Sequence, residues 1–99
     1  MHFELIISSI AVNETNDAYL FYERSSAGLG ERFLRSLEDI YQKLSQNPHY
    51  YGFMNKAKDL RDIKIKDFPF VIIFQIVNDK VFVLRVFNTS RNPDLIKNL

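Results

Sequence analysis

The stretch FPFVIIFQIVNDKVFVLRVFN, residues 68–88, decides how this chain folds. Two β-branched and aromatic runs flank Asn78-Asp79. Both loop residues tolerate positive φ, so the pattern reads as two antiparallel strands joined by a two-residue hairpin loop. The strands span about 68–77 and 80–88, and Pro69 fits because it lies at the start of its strand. With Val77 opposite Lys80 and the pairing unbroken, one face holds Phe70, Ile72, Phe74, Ile76, Val81, Val83, Arg85 and Phe87. The other holds Val71, Ile73, Gln75, Val77, Lys80, Phe82, Leu84 and Val86. The first is the better core face. The second is still apolar at Val71, Ile73, Phe82, Leu84 and Val86, and such a face is expected to be covered by a partner chain.

Working upstream, KDLRDIKIKDF supplies a third antiparallel strand, about 60–66, preceded by the irregular and aromatic HYYGFMNKA. Before that the period changes from two to that of a helix. Leu29, Phe33, Leu37, Ile40, Tyr41 and Leu44 form one apolar face, with Glu31, Arg32, Arg35, Glu38 and Asp39 on the other. Asn47-Pro48 ends this helix, because proline lacks an N–H and restricts its predecessor. An earlier helix is marked by Ala11, Thr15, Ala18, Tyr19 and Tyr22 and closes at Ser25-Ser26-Ala27-Gly28. Phe3–Ser8 is a first strand, apolar enough to be central. The expectation is one α+β domain over residues 1–99, of order β-α-α-β-β-β. In it a helical hairpin packs on a mainly antiparallel four-stranded sheet.

Composition excludes several classes of chemistry. The 99 residues hold no cysteine, which rules out disulfides and thiolate catalysis. The opening MHFELIISSIAVNETND lacks the basic and cleavage signals of a secretory leader, and its apolar run is too short to span a bilayer. A cytoplasmic protein is expected. His2 and His49 lack companions at ligand spacing, so no metal or other cofactor is implied. Charge is uneven: residues 1–55 carry four Lys/Arg against seven Asp/Glu, and residues 56–99 carry nine against five.

Two readings stand for the corner after the last strand, Asn88-Thr89-Ser90-Arg91-Asn92-Pro93. Arg91 projects to contact phosphate or a carboxylate, with Asn88, Thr89 and Ser90 as hydrogen-bonding neighbours. Alternatively the short polar residues cap a turn and Arg91 pairs with a helix carboxylate. Arg85, set among apolar residues, reads as a structural ion-pair member. Arg61, Lys64 and Lys66, with Lys56 and Lys58 nearby, are either solvated edge charges or a phosphate-facing strip.

The motifs Phe21-Tyr22-Glu23, Gly28-Leu29-Gly30 with Phe33, Asn47-Pro48, Phe68-Pro69-Phe70 and Arg91-Asn92-Pro93 stand in one order along nearly the whole chain. That order resembles the RelE/ParE family of bacterial toxins from type II toxin–antitoxin systems, nearer its ParE-like and plasmid-stabilisation branch. The resemblance implies a toxin neutralised by a cognate antitoxin, in an oligomer formed with it. On the ParE side it implies growth inhibition by binding DNA gyrase, with Arg61, Asn88 and Arg91 as target-binding residues. The antitoxin would cover Val71, Ile73, Phe82, Leu84 and Val86. The alternative is a RelE-type endoribonuclease acting on messenger RNA at the ribosome, with Lys64, Lys66 and Arg91 as catalytic residues. That alternative lacks two usual contributors: Val71 stands where relatives carry an arginine, and the tail Asp94–Leu99 has no tyrosine.

Overall fold

The computed structural model describes residues 2–99; Met1, within the expected domain of 1–99, lies outside the described residues. Strand β1 (Glu4–Ile7) leads into helix α1 (Ser9–Ser25) and then α2 (Leu29–Gln46). Strands β2 (Phe53–Asn55), β3 (Leu60–Lys64), β4 (Phe70–Val77) and β5 (Lys80–Asn88) follow, and a 3-10 turn spans Pro93–Ile96. The sheet order is β1-β5-β4-β3-β2, with β1 parallel to β5 and the other pairs antiparallel. The α+β architecture, the helical hairpin and the meander agree with the sequence expectation.

Three details differ from it. The sheet has five strands, because Phe53–Asn55 pairs with Arg61 and Leu60 across a 3-10 turn at Lys56–Lys58. Three residues are too few for a period to register in the sequence. The first strand is an edge strand of four residues, half-buried at Leu5, Ile6 and Ile7, and not central. Strands β3 and β4 are shorter than expected because Ile65 donates to the Phe70 carbonyl at 3.0 Å and Phe70 to that of Phe68 at 2.8 Å. Those bonds, with Asp67 at φ 70°, turn residues 65–69 into a connection.

The hairpin itself forms around Asn78, which has φ 55°. Pairing begins as expected at Val77↔Lys80 and continues to Phe74↔Val83, but the next pair is Ile73↔Arg85. Leu84 is an extra residue, a β-bulge. Because side chains alternate with period two, one inserted residue moves everything beyond it to the opposite face. Val86 therefore joins the helix-facing core with Phe33, Leu37, Ile72, Phe74, Val81 and Val83. Phe87 leaves it and packs on the second face with Leu60, Val71 and Ile73. The unbroken register expected from the sequence is corrected here for Arg85, Val86 and Phe87.

The bulge is held from the helix. Ser8 caps α1 by accepting from the Ala11 N–H at 3.0 Å and donates its hydroxyl to the Leu84 carbonyl at 2.8 Å. Beyond Val83, β1 no longer pairs with β5, and the Glu14 carboxylate takes its place. It accepts from the Val86 N–H at 2.9 Å and from Arg85 Nε and Nη2 at 3.0 and 2.7 Å. Arg85 curls round that open edge, its guanidinium 5.5 Å from the Phe87 ring centroid. This is the ion-pair partner that the sequence reading of Arg85 called for, and it is a helix carboxylate.

The second sheet face is partly covered by the chain itself. Ile96 and Leu99 lie against Leu60, Val71, Ile73 and Phe87, with Leu84 beside them. A partner chain was expected to cover this face; the C-terminal segment supplies part of that cover, leaving Phe82 and Leu84 half-buried.

Candidate functional site

The corner after β5 is built by short polar side chains. Thr89 donates its N–H and its hydroxyl to the Pro69 carbonyl at 2.7 and 3.0 Å. Asn88 accepts from the Ser90 N–H through its side chain at 2.8 Å and from the Arg91 N–H through its carbonyl at 3.0 Å. Asn92 accepts from the Asp94 N–H at 3.0 Å. These Asx-type bonds satisfy a backbone that has left the ladder. They leave the Arg91 side chain exposed, with no ion pair among the described residues.

Arg91 and Asn88 line a cleft of about 240 Å³ between the end of β5 and α1. Its floor is apolar, from Ala18, Tyr22, Phe70 and Val86, and Glu14 and Asp17 stand on the helix side. Phe21 forms its lip at 65% exposure and also borders a shallower depression with Leu20 and Arg24. An exposed phenylalanine and an unpaired arginine beside an apolar-floored cleft are residue types enriched at protein interfaces. Sequence reasoning missed Phe21 and Glu14. The signal for Phe21 was an aromatic residue lying off the Ala11, Thr15, Ala18, Tyr22 face of α1. Glu14 offered none, since its partners are 71 and 72 residues away.

The other expected site residues lie elsewhere. Arg61 donates to the carbonyls of His49 and Tyr51 at 3.3 and 2.6 Å and stacks 4.0 Å from the Phe53 centroid. Its guanidinium is thus committed to holding the 49–53 loop. Lys64 opposes Val71 in the β3–β4 ladder, on the sheet face away from the helices, and Lys66 is exposed in the connection that follows. Arg91 opens on the helix side, so it and Lys64 face different surfaces. Of the five residues expected to meet an antitoxin, Val71, Ile73 and Val86 are buried, and Phe82 and Leu84 are half-buried.

Burial pushes the Tyr41 hydroxyl up to about 12, and that hydroxyl has no hydrogen-bond partner among the described residues. Burial also raises Asp62, against a smaller lowering by Lys64. Among the described residues, no group of three or more His, Cys, Asp or Glu side chains is placed to hold a metal ion. No helix among them is long and apolar enough to cross a membrane.

The motifs also have visible jobs. Glu23, which closes Phe21-Tyr22-Glu23, accepts from the N–H groups of Gly28 and Gly30, both at 3.0 Å, and so caps α2. Gly30 admits α1 at close range: a Cβ there would lie 2.7 Å from the Tyr19 carbonyl oxygen. Tyr22, Phe33, Phe68 and Phe70 interlock with centroids 4.9 to 6.2 Å apart, which fixes Phe68-Pro69-Phe70 beneath the helical hairpin.

The fold is shared with a protein described as the chromosomal ParDE TA system from P. aeruginosa. The two superpose with TM-score 0.69 at 19% identity, covering 88% of this chain and 96% of that one. No curated protein matches the sequence. A family model does match, over residues 5–93, and the chain belongs to the family it describes: the ParE toxin of type II toxin–antitoxin system, parDE.

Proposed function

We propose that this toxin arrests growth by binding an essential target, DNA gyrase being the one its family resemblance suggests, and that it is not a ribonuclease. The observation that carries the reading is the separation of Lys64 from Arg91. General acid–base and electrostatic catalysis at a phosphodiester needs its charged groups around one scissile bond. Here Lys64 stands on the sheet face partly covered by Ile96 and Leu99, and Arg91 opens into the cleft beside α1. Arg91, Asn88 and the lip residue Phe21 suit a macromolecular contact instead. In this reading a cognate antitoxin neutralises the toxin by covering the exposed apolar surface on α1, at Leu20 and Phe21, together with the Arg91 cleft. The half-buried Phe82 and Leu84 remain as a second contact.

The test is DNA supercoiling by purified gyrase in the presence of the purified chain. Inhibition is expected, and Arg91→Ala should weaken it at least tenfold with no shift in the thermal midpoint. On expression, double-strand breaks and filamentation should appear while messenger RNA stays intact. Codon-positioned cuts on translating ribosomes, lost in Lys64→Ala or Lys66→Ala, would overturn the binding reading in favour of the nuclease.

A further inference from the structure

We propose that the corner formed by β2, the 3-10 turn after it and β3 is a nucleic-acid contact surface, separate from the Arg91 cleft. The segment 49–66 carries five cationic side chains, Lys56, Lys58, Arg61, Lys64 and Lys66, against the carboxylates of Asp59 and Asp62. Lys56 and Lys58 lie in the turn itself, whereas Lys64, opposite Val71, and Lys66 lie at the far end of β3; all four are exposed, and among the described residues none is within ion-pair distance of a carboxylate. Lysines left unpaired beside each other repel, and a polyanion relieves that repulsion by releasing its own counterions.

Aromatic side chains stand among these cations. Tyr50 is 78% exposed and Phe53 39% exposed. Arg61 fixes both sides of that group, because its guanidinium bonds the carbonyls on either side of Tyr50 and stacks on Phe53. Lys56 Nζ lies 5.9 Å from the same Phe53 centroid. The ring of Tyr50 also meets Tyr51 edge-on at 5.2 Å, which holds it without hiding it. An exposed ring held by Arg61, in the loop that also carries the Phe53–Lys56 pair, is the kind of arrangement that single-stranded nucleic acid uses, with bases stacked on the ring and phosphates on the cations. An acidic protein surface would satisfy the lysines but gives Tyr50 no flat partner, and on that ground nucleic acid is favoured. A growth inhibitor whose target works on DNA or RNA would gain from touching the nucleic acid itself, but the inference does not depend on that target.

Fluorescence anisotropy with labelled single-stranded and duplex DNA of about 16 nucleotides, the upper end of one domain's site size, tests it. Binding should weaken log-linearly between about 50 and 200 mM salt. Changing Lys56 and Lys58 together to Ala should flatten the single-strand slope by about 1.4, at ~0.7 per phosphate contact. Tyr50→Ala should cost on the order of tenfold in single-strand affinity and leave the slope unchanged. Lys80→Ala, at the far edge where the ammonium pairs with Glu4, should change neither. All these side chains are surface groups, so matching thermal midpoints are expected across the set. Absence of salt-dependent binding, or wild-type affinity and slope in the variants, would overturn the assignment. Equally tight binding of poly-glutamate would overturn it in favour of an acidic protein partner.

Discussion

Replacing Glu14 by Ala removes the acceptor that holds the β5 bulge against α1. Arg85 would lose its bonds at 3.0 and 2.7 Å, and the Val86 N–H would lose its own at 2.9 Å. The Glu14 and Arg85 side chains are only 16% and 14% exposed, so water can replace the lost acceptor in part only. Breaking a buried ion pair from one side costs about 3–5 kcal/mol. An orphaned buried N–H costs about 1–3 kcal/mol more. Partial solvent access cuts both figures, and a loss of about 3 kcal/mol is expected. Against a total of ~5–15 kcal/mol for a domain of this size, that is a large share. Urea unfolding followed by circular dichroism should show the midpoint fall with an unchanged slope, and the thermal midpoint should drop by roughly 12–24 °C. The control is the double variant Glu14→Leu with Arg85→Met, which removes both charges and keeps the volume. It leaves only the Val86 N–H unsatisfied and should recover to within about 1–3 kcal/mol of the parent. A loss below about 1 kcal/mol for Glu14→Ala would refute the clamp. So would a double variant as unstable as the two single changes added together.

Two further changes probe other joints. Gly30→Ala gains about 1 kcal/mol of helix propensity but sets a methyl 2.7 Å from the Tyr19 carbonyl oxygen and 2.9 Å from its ring. Backbone cannot yield cheaply, so a net loss of about 1–2 kcal/mol is expected in thermal melts, and a stabilised variant would contradict the close approach. Asp62 is raised by burial, so its folded pKa lies above its unfolded one. Its charge therefore opposes folding at neutral pH, and the penalty disappears as pH falls below the ordinary Asp value of about 3.9. Asp62→Asn should raise the urea midpoint at pH 7 and have little effect near pH 3; an equal effect at both would refute the sign.

Much of the fold was legible because its signals are local. The Asn78-Asp79 loop, the change from period two to helical period, and Asn47-Pro48 each act within a few residues. The register of the last hairpin was not. Its bulge at Leu84 depends on Ser8 and Glu14, which reach it from the other end of the chain. Val86 was therefore assigned to the wrong face by a single residue of slip, and with it part of the surface expected to meet a partner. The cover supplied by Ile96 and Leu99 was hidden for a related reason. Nothing in the short tail Asp94–Leu99 distinguishes Ile96 and Leu99 from the exposed Leu95, and their partial burial comes from the sheet they fold across.

The motifs that carry the family resemblance are mostly devices of the fold. Glu23 caps α2 through Gly28 and Gly30, Pro48 is buried at the end of α2, and Pro69 accepts from Thr89 to turn the corner. Each would be required whatever the toxin binds, because each satisfies backbone groups or permits close packing. Membership in the family therefore fixes the scaffold more firmly than the target. In the binding reading proposed above, the residues left to set the target are those the scaffold does not use: Arg91, whose side chain has no ion-pair partner among the described residues, and Phe21, exposed on α1 between two depressions. Arg91 can change without breaking a cap or a core contact, and Phe21 can do so with only its edge-on contact to Tyr22 lost. Substitutions there should move inhibition while leaving the unfolding midpoint nearly still, whereas Glu23→Ala should do the reverse, lowering the midpoint and, where folding survives, sparing inhibition.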